Sequence, residues 1–197
     1  MIFHNFISPS LPGITASING TTSITNCVCC GTFATNSSTF SNFIAAGVTF
    51  EDNAVLLSGS SRIIGAQAAG LVGRSFEPMT RCFFAGTSEV LFQSSIHLGT
   101  ITGEGLVGGE NACNFNGYLL GTADSGGVFG EVDNTPNGCT GLYACGSFDI
   151  ITRGGNDFGG RIIGNRAGGT ILETYYYGSG DVLQLSLIHI SEPTRPY

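Results

Sequence analysis

Several groups in this chain of 197 residues carry reactive side chains at spacings that could do chemistry. Asp124, Glu131 and Asp133 form one acidic group, and Asp149, Arg153 and Asp157 form another. Two carboxylates held about 5 to 10 Å apart can act as acid and base on a glycosidic bond. Ala123-Asp-Ser-Gly-Gly127 sets Ser125 beside a carboxylate in a glycine-rich loop, where a serine nucleophile would still need a positioned base. Upstream of residue 185 only His4 and His97 could supply one, and no oxyanion or base motif accompanies Ser125. Cys27-Val-Cys29-Cys30 could be half of a metal site, but no second Cys pair or Cys/His partner follows at zinc spacing.

The elements that must position these residues are repeats. A two-part phrase of short apolar segments closed by glycine runs Gly70-Leu-Val-Gly73 … Cys82-Phe-Phe-Ala-Gly86-Thr87, then Gly105-Leu-Val-Gly108 … Gly117-Tyr-Leu-Leu-Gly121-Thr122. It returns as Gly127-Val-Phe-Gly130 … Leu142-Tyr-Ala-Cys-Gly146-Ser147 and Gly160-Arg-Ile-Ile-Gly164 … Thr174-Tyr-Tyr-Tyr-Gly178-Ser179, with a lone second half at Cys27-Val-Cys-Cys-Gly31-Thr32. The glycines that close the two halves stand 13, 13, 16 and 14 positions apart in the four full copies. Two or three apolar residues between glycines make a strand too short to stand alone, with a corner at each end. Such units bury an apolar face only by stacking on their neighbours. The residue three before the closing glycine is Val28, Phe83, Tyr118, Tyr143 or Tyr175, which suits a ladder of like side chains on a pleated surface.

Composition agrees with an array of corners. The chain has 31 glycines, 42% hydrophobic residues and only 11% charged ones. All seven cations are arginine, and the net charge is −7. An acidic chain without a basic footprint excludes a nucleic-acid partner, and the missing lysine excludes a Walker-type phosphate loop, a Schiff base and a Ser-Lys dyad. No run reaches the length of a membrane-spanning helix. Residues 63 to 71 read as a short helix, the one place where helical periodicity is hinted. Cys27 and Cys82 share one repeat position and Cys30 and Cys145 another; buried thiols acting as small hydrophobes are the leading reading, with an inter-turn disulfide such as Cys27 to Cys82 as the alternative.

The phrase resembles the GLUG motif family, in which Gly-Gly-Leu-Val-Gly precedes a strand of Cys-Tyr-x-x-Gly type. Ala69-Gly-Leu-Val-Gly73 with Cys82-Phe83 is the nearest match, Glu104-Gly-Leu-Val-Gly108 the next, and the resemblance covers residues 68 to 180. It implies β-solenoid repeats of large surface or secreted proteins of adhesin-like type. Parallel β-helix enzymes acting on polysaccharide resemble the chain in architecture and place Asp and Arg along one face.

The expectation is therefore an all-β solenoid, a parallel β-helix of short glycine-bounded strands. Residues 1–67 read as degenerate repeats or an N-terminal cap, and 68–184 as four GLUG-like repeats. Residues 185–197 resemble a translated sequencing adapter, so the native text is expected to end near Gln184. The expected role is a structural or adhesive rod, extracellular or at the cell surface. It has no catalytic, cofactor or metal residues of its own, and it meets a protein or glycan partner through surface loops. A strand edge left open at the last turn predicts end-to-end self-association. The rival is a polysaccharide lyase or hydrolase, which requires the acidic residues to converge in one groove.

Overall fold

A computed structural model describes residues 2–4, 15–35, 38–121, 124–132, 139–153, 159–160, 162–166, 171–179 and 182–185. Within them every regular element is a strand, and the strands form three parallel sheets of seven, eight and eight members. One turn shows the path. Phe83–Gly86 lies on the first sheet, Leu91–Gly99 on the second and Thr102–Val107 on the third, and Asn111–Phe115 returns to the first beside its starting strand. The result is a β-solenoid of about 5 turns.

Register is strict on the first sheet. Val28, Ala54, Phe83, Ala112, Tyr143 and Tyr175 form one outward column, each paired with the next, so successive turns take 26, 29, 29, 31 and 32 residues. The neighbouring column, Cys29, Val55, Phe84, Cys113 and Ala144, is buried, as the two-residue period of a strand requires. Inside the turns Phe84, Phe92, Phe115, Phe148 and Tyr176 meet ring to ring at centroid distances of 5.4 to 5.8 Å, mostly edge to face.

At four turns the corner from the third sheet into the first passes through a left-handed residue. Asn26, Asp52 and Arg81 have φ of 55°, 55° and 49°, and Gly141 takes the same conformation at 74°. Behind this corner Asn53 and Asn111 alternate with Cys27 and Cys82. Asn111 Oδ1 accepts from the Cys82 amide at 3.0 Å, while its Nδ2 donates to the Met79 and Gly109 carbonyls at 3.0 and 2.7 Å. Asn53 does the same for Cys27, Ile24 and Glu51.

Four expectations are corrected here. Residues 63 to 71 are no helix: Arg62–Ala69 is a strand of the second sheet, because Ile63 has a buried slot beside Phe92 in the stack. Gly105-Leu-Val-Gly108 is not the equivalent of Gly70-Leu-Val-Gly73, despite identical letters. Thr100-Ile-Thr-Gly103 takes that place, since Leu71 N bonds to Ile101 O, Ile101 N to Val128 O and Val128 N to Ile162 O. Gly117-Tyr-Leu-Leu-Gly121 likewise sits on the second sheet, with Tyr118 between Leu91 and Asp149, and Asn111–Phe115 fills the first-sheet position. Cys27 and Cys82 form no disulfide: the strand of Asn53 lies between them, two steps of about 4.8 Å are too far for an S–S bridge, and both thiols are free. The adapter-like stretch beyond Leu185 lies outside the described residues. No described helix is long and apolar enough to cross a membrane.

Candidate functional site

The corner between the second and third sheets turns inward, and it organises the polar residues. Its tip reaches the first sheet: a Cβ on Gly70 would lie 2.4 Å from Phe84 Cδ2, and Cys113 Sγ donates to the Gly127 carbonyl at 3.3 Å. Its two arms lie backbone against backbone. A Cβ on Gly99 would sit 2.3 Å from Thr102 O, and one on Gly130 2.5 Å from Gly103 O and 2.6 Å from Leu98 N. Only glycine permits that approach.

Aligned by this corner, three consecutive turns read Gln67-Ala-Ala-Gly-Leu-Val-Gly-Arg74, His97-Leu-Gly-Thr-Ile-Thr-Gly-Glu104 and Asp124-Ser-Gly-Gly-Val-Phe-Gly-Glu131. The first and last residues of each octad face outward on opposite arms. Gln67, His97 and Asp124 therefore run down the second sheet, and Arg74, Glu104, Glu131 and Asn165 run down the third.

The two rows zip together. Arg74 Nη2 pairs with Glu104 Oε1 at 2.7 Å, and Gln67 Nε2 donates to Glu104 Oε2 at 2.5 Å. His97 Nε2 lies 3.2 Å from Glu131 Oε2 and 3.8 Å from Glu104 Oε2, and its Nδ1 lies 3.6 Å from Asp124 Oδ2. Asn165 Nδ2 donates to the same Asp124 oxygen at 3.1 Å. The side chains of His97, Glu104, Asp124 and Glu131 are 15, 10, 11 and 19% exposed, so the charges stand in a half-dry seam where leaving one unpaired would be costly.

Of the acidic residues singled out in the sequence, Asp124 and Glu131 do converge, and they gather His97 and Glu104 with them. Asp149 stands apart, in register with Tyr118 in a different column of the second sheet. Arg153 ends the strand Asp149–Arg153, while Asp133 and Asp157 lie outside the described residues. Ser125 is fully buried, paired with Leu98 and Gly159, and no longer offers a nucleophile to solvent. His4 pairs by its backbone with Cys30 at the start of the first sheet. Glu104 and the His97 node are hidden when the phrase is aligned on Gly108 instead of Gly103. The octad, with a polar residue at each end and glycine in seventh place, is the signal that finds them.

Cys29, Cys82 and Cys113 line the core, while Cys30 and Cys145, expected as buried thiols, are only partly covered in an outward column. Desolvation pushes the Cys29, Cys82 and Cys113 thiols up to about 12. Thiols held protonated in this way neither bind metal nor attack electrophiles readily. Cys29 points inward while Cys30 takes an outward column beside Leu56, so Cys27-Val-Cys29-Cys30 does not present its sulfurs together.

The first sheet offers a different kind of surface. Its outward columns are Val28, Ala54, Phe83, Ala112, Tyr143 and Tyr175 beside Cys30, Leu56, Ala85, Asn114, Cys145 and Tyr177, without a single charge. Tyr143 stacks on Tyr175 at 5.4 Å and 9°, and Phe83, Tyr175 and Tyr177 are exposed. No protein-family model, no curated protein and no solved structure matches the chain.

Proposed function

We propose that this chain is a structural and adhesive repeat segment of a larger surface or secreted protein, a stiff stalk without catalytic activity of its own. The observation that carries this reading is the unbroken stacking of turns around a side-chain-filled interior, in which Leu71, Ile101, Val128 and the aromatic ladder leave the core no room for a substrate. Parallel strands joined turn by turn give stiffness along one axis, and the outward side chains can vary without disturbing it. The likeness of Ala69-Gly-Leu-Val-Gly73 to GLUG repeats supports the same reading. Two uncharged outward columns with stacked tyrosines suit a neutral glycan better than a charged polymer, since pyranose C–H faces pack on aromatic rings and no ion pair is required.

Convergence of Asp124 and Glu131 is the one observation that favours a polysaccharide-acting enzyme. Against it, both carboxylates face His97 within the seam, Asp124 also accepts from Asn165, and both are largely covered. The test uses the full chain with a panel of neutral and uronic-acid polysaccharides, scored for retention on the insoluble polymer and for new reducing or unsaturated ends. The scaffold reading expects retention that Tyr175→Ala weakens and no new ends. New ends that vanish in Glu131→Gln would establish the enzyme instead.

A further inference from the structure

We propose that His97, Asp124 and Glu131 form a binding site for a divalent transition-metal ion of the zinc or manganese class, which staples the inward corner across two turns. One donor atom from each of the three residues lies within 4.8 Å of the other two. Ligands on opposite sides of one such ion stand about 4 Å apart, given bonds of about 2.0 to 2.2 Å. Small side-chain rotations would close the remaining gap without moving a strand.

The imidazole has carboxylates on both of its edges. A neutral imidazole has one N–H and one lone pair. Here both nitrogens face carboxylates: Nε2 faces Glu131 and Glu104, and Nδ1 faces Asp124. In a neutral ring the nitrogen without the proton opposes a lone pair to a carboxylate oxygen, a conflict that either a second proton or a metal ion on that nitrogen removes. Nδ1 is buried and has no hydrogen-bond partner among the described residues, and its 3.6 Å separation from Asp124 Oδ2 is too long for an N–H···O bond. A separation of that size is the one two ligands of a single ion adopt.

The surroundings hold the donors in place as an outer shell does around a metal. Asn165 Nδ2 fixes the Asp124 carboxylate, and Gln67 and Arg74 hold Glu104, whose Oε2 lies 3.8 Å from His97 Nε2. One imidazole among carboxylates favours zinc or manganese over calcium or magnesium, which take oxygen donors. The donors come from two strands of the second sheet and one of the third, so the ion would tie the arms of the corner to each other and one turn to the next.

The experiment takes the full chain stripped with EDTA, titrates it with ZnCl2 by calorimetry and records thermal melts and the Co2+ visible spectrum. Expected are one ion per chain, a rise in Tm on adding Zn2+, and Co2+ d–d bands without thiolate charge transfer. His97→Gln and Glu131→Gln should each weaken binding at least about tenfold, while Glu110→Gln, an exposed acid away from the seam, should leave it unchanged. Both variants are checked for native circular dichroism. If His97→Gln fails to fold, the near-isosteric Glu131→Gln carries the test. Saturable binding absent at about 100 μM Zn2+, a free energy near the weak end of specific binding, would overturn the proposal. So would a thiolate band, which would assign the ion to cysteines, or equal affinity in wild type and Glu131→Gln.

Discussion

Gly126 faces Phe129 across the inward corner so closely that a Cβ on the glycine would lie 1.9 Å from the Phe129 carbonyl oxygen and 2.6 Å from Gly164 N. Neither atom can yield, since both belong to stacked backbone. Gly126→Ala is therefore expected to cost more than about 4 kcal/mol, at the extreme of single substitutions. Gly20→Ala is the control: it strains a φ of +92° but meets nothing within 4 Å, and should cost only about 1 kcal/mol. Urea denaturation of the two variants compares them directly.

Asn111 is a structural pin. Truncation to Ala leaves the Cys82 amide and the Met79 and Gly109 carbonyls without their side-chain partner in a buried position. Each such group costs about 1 to 3 kcal/mol when left unmet, so Asn111→Ala should lose about 3 kcal/mol overall. Asp is the sharper replacement, because it keeps the acceptor for Cys82 and loses both donors. Equilibrium unfolding that ranks Asn111→Asp with wild type would contradict this assignment.

Phe115 touches Phe84, Phe92 and Phe148 and is fully buried. Removing its ring opens a cavity shared by three turns, and Phe115→Ala should cost about 3 to 5 kcal/mol. Phe115→Leu should recover more than half of that loss in the same assay.

The buried thiols give a pH dependence with a definite sign. Cys82 and Cys113 sit at about 12 in the fold against 9.0 for an exposed thiol, chiefly through desolvation. Below about pH 9 both folded and unfolded chains keep the protons, and the contribution is fully present. Between 9 and 12 the unfolded chain releases protons that the fold retains, so stability falls as pH rises. Urea midpoints should decline from about pH 8.5 upward, and Cys113→Ala should decline less steeply. Labelling of Cys82 and Cys113 by a thiol reagent at neutral pH should follow unfolding, not precede it.

The fold class was legible because glycine-bounded apolar pairs repeat and have no other way to bury themselves. The first-sheet column was legible too, from Val28, Phe83, Tyr143 and Tyr175. What misled was letter identity. Gly105-Leu-Val-Gly108 copies Gly70-Leu-Val-Gly73 in sequence, but the corner demands glycine where arms touch, and Thr100 can replace the first glycine because its hydroxyl bonds to the Gly127 carbonyl. Asn111–Phe115 escaped for the opposite reason: Phe115 fills the slot that Gly86 and Gly146 occupy on either side. The His97 node depends on which residues end the octad, and a register slipped by five residues hides that completely.

The account stands on hydrogen bonds between residues about thirty apart, and scalar coupling across those bonds reports them one at a time. In deuterated protein, the Ala112 amide nitrogen should couple to the Cys82 carbonyl carbon and the Ala54 nitrogen to that of Cys27, as their 3.0 and 2.9 Å bonds require. Couplings from these amides to carbonyls within a dozen residues along the chain, the mark of local hairpins, would contradict a solenoid and everything built on it.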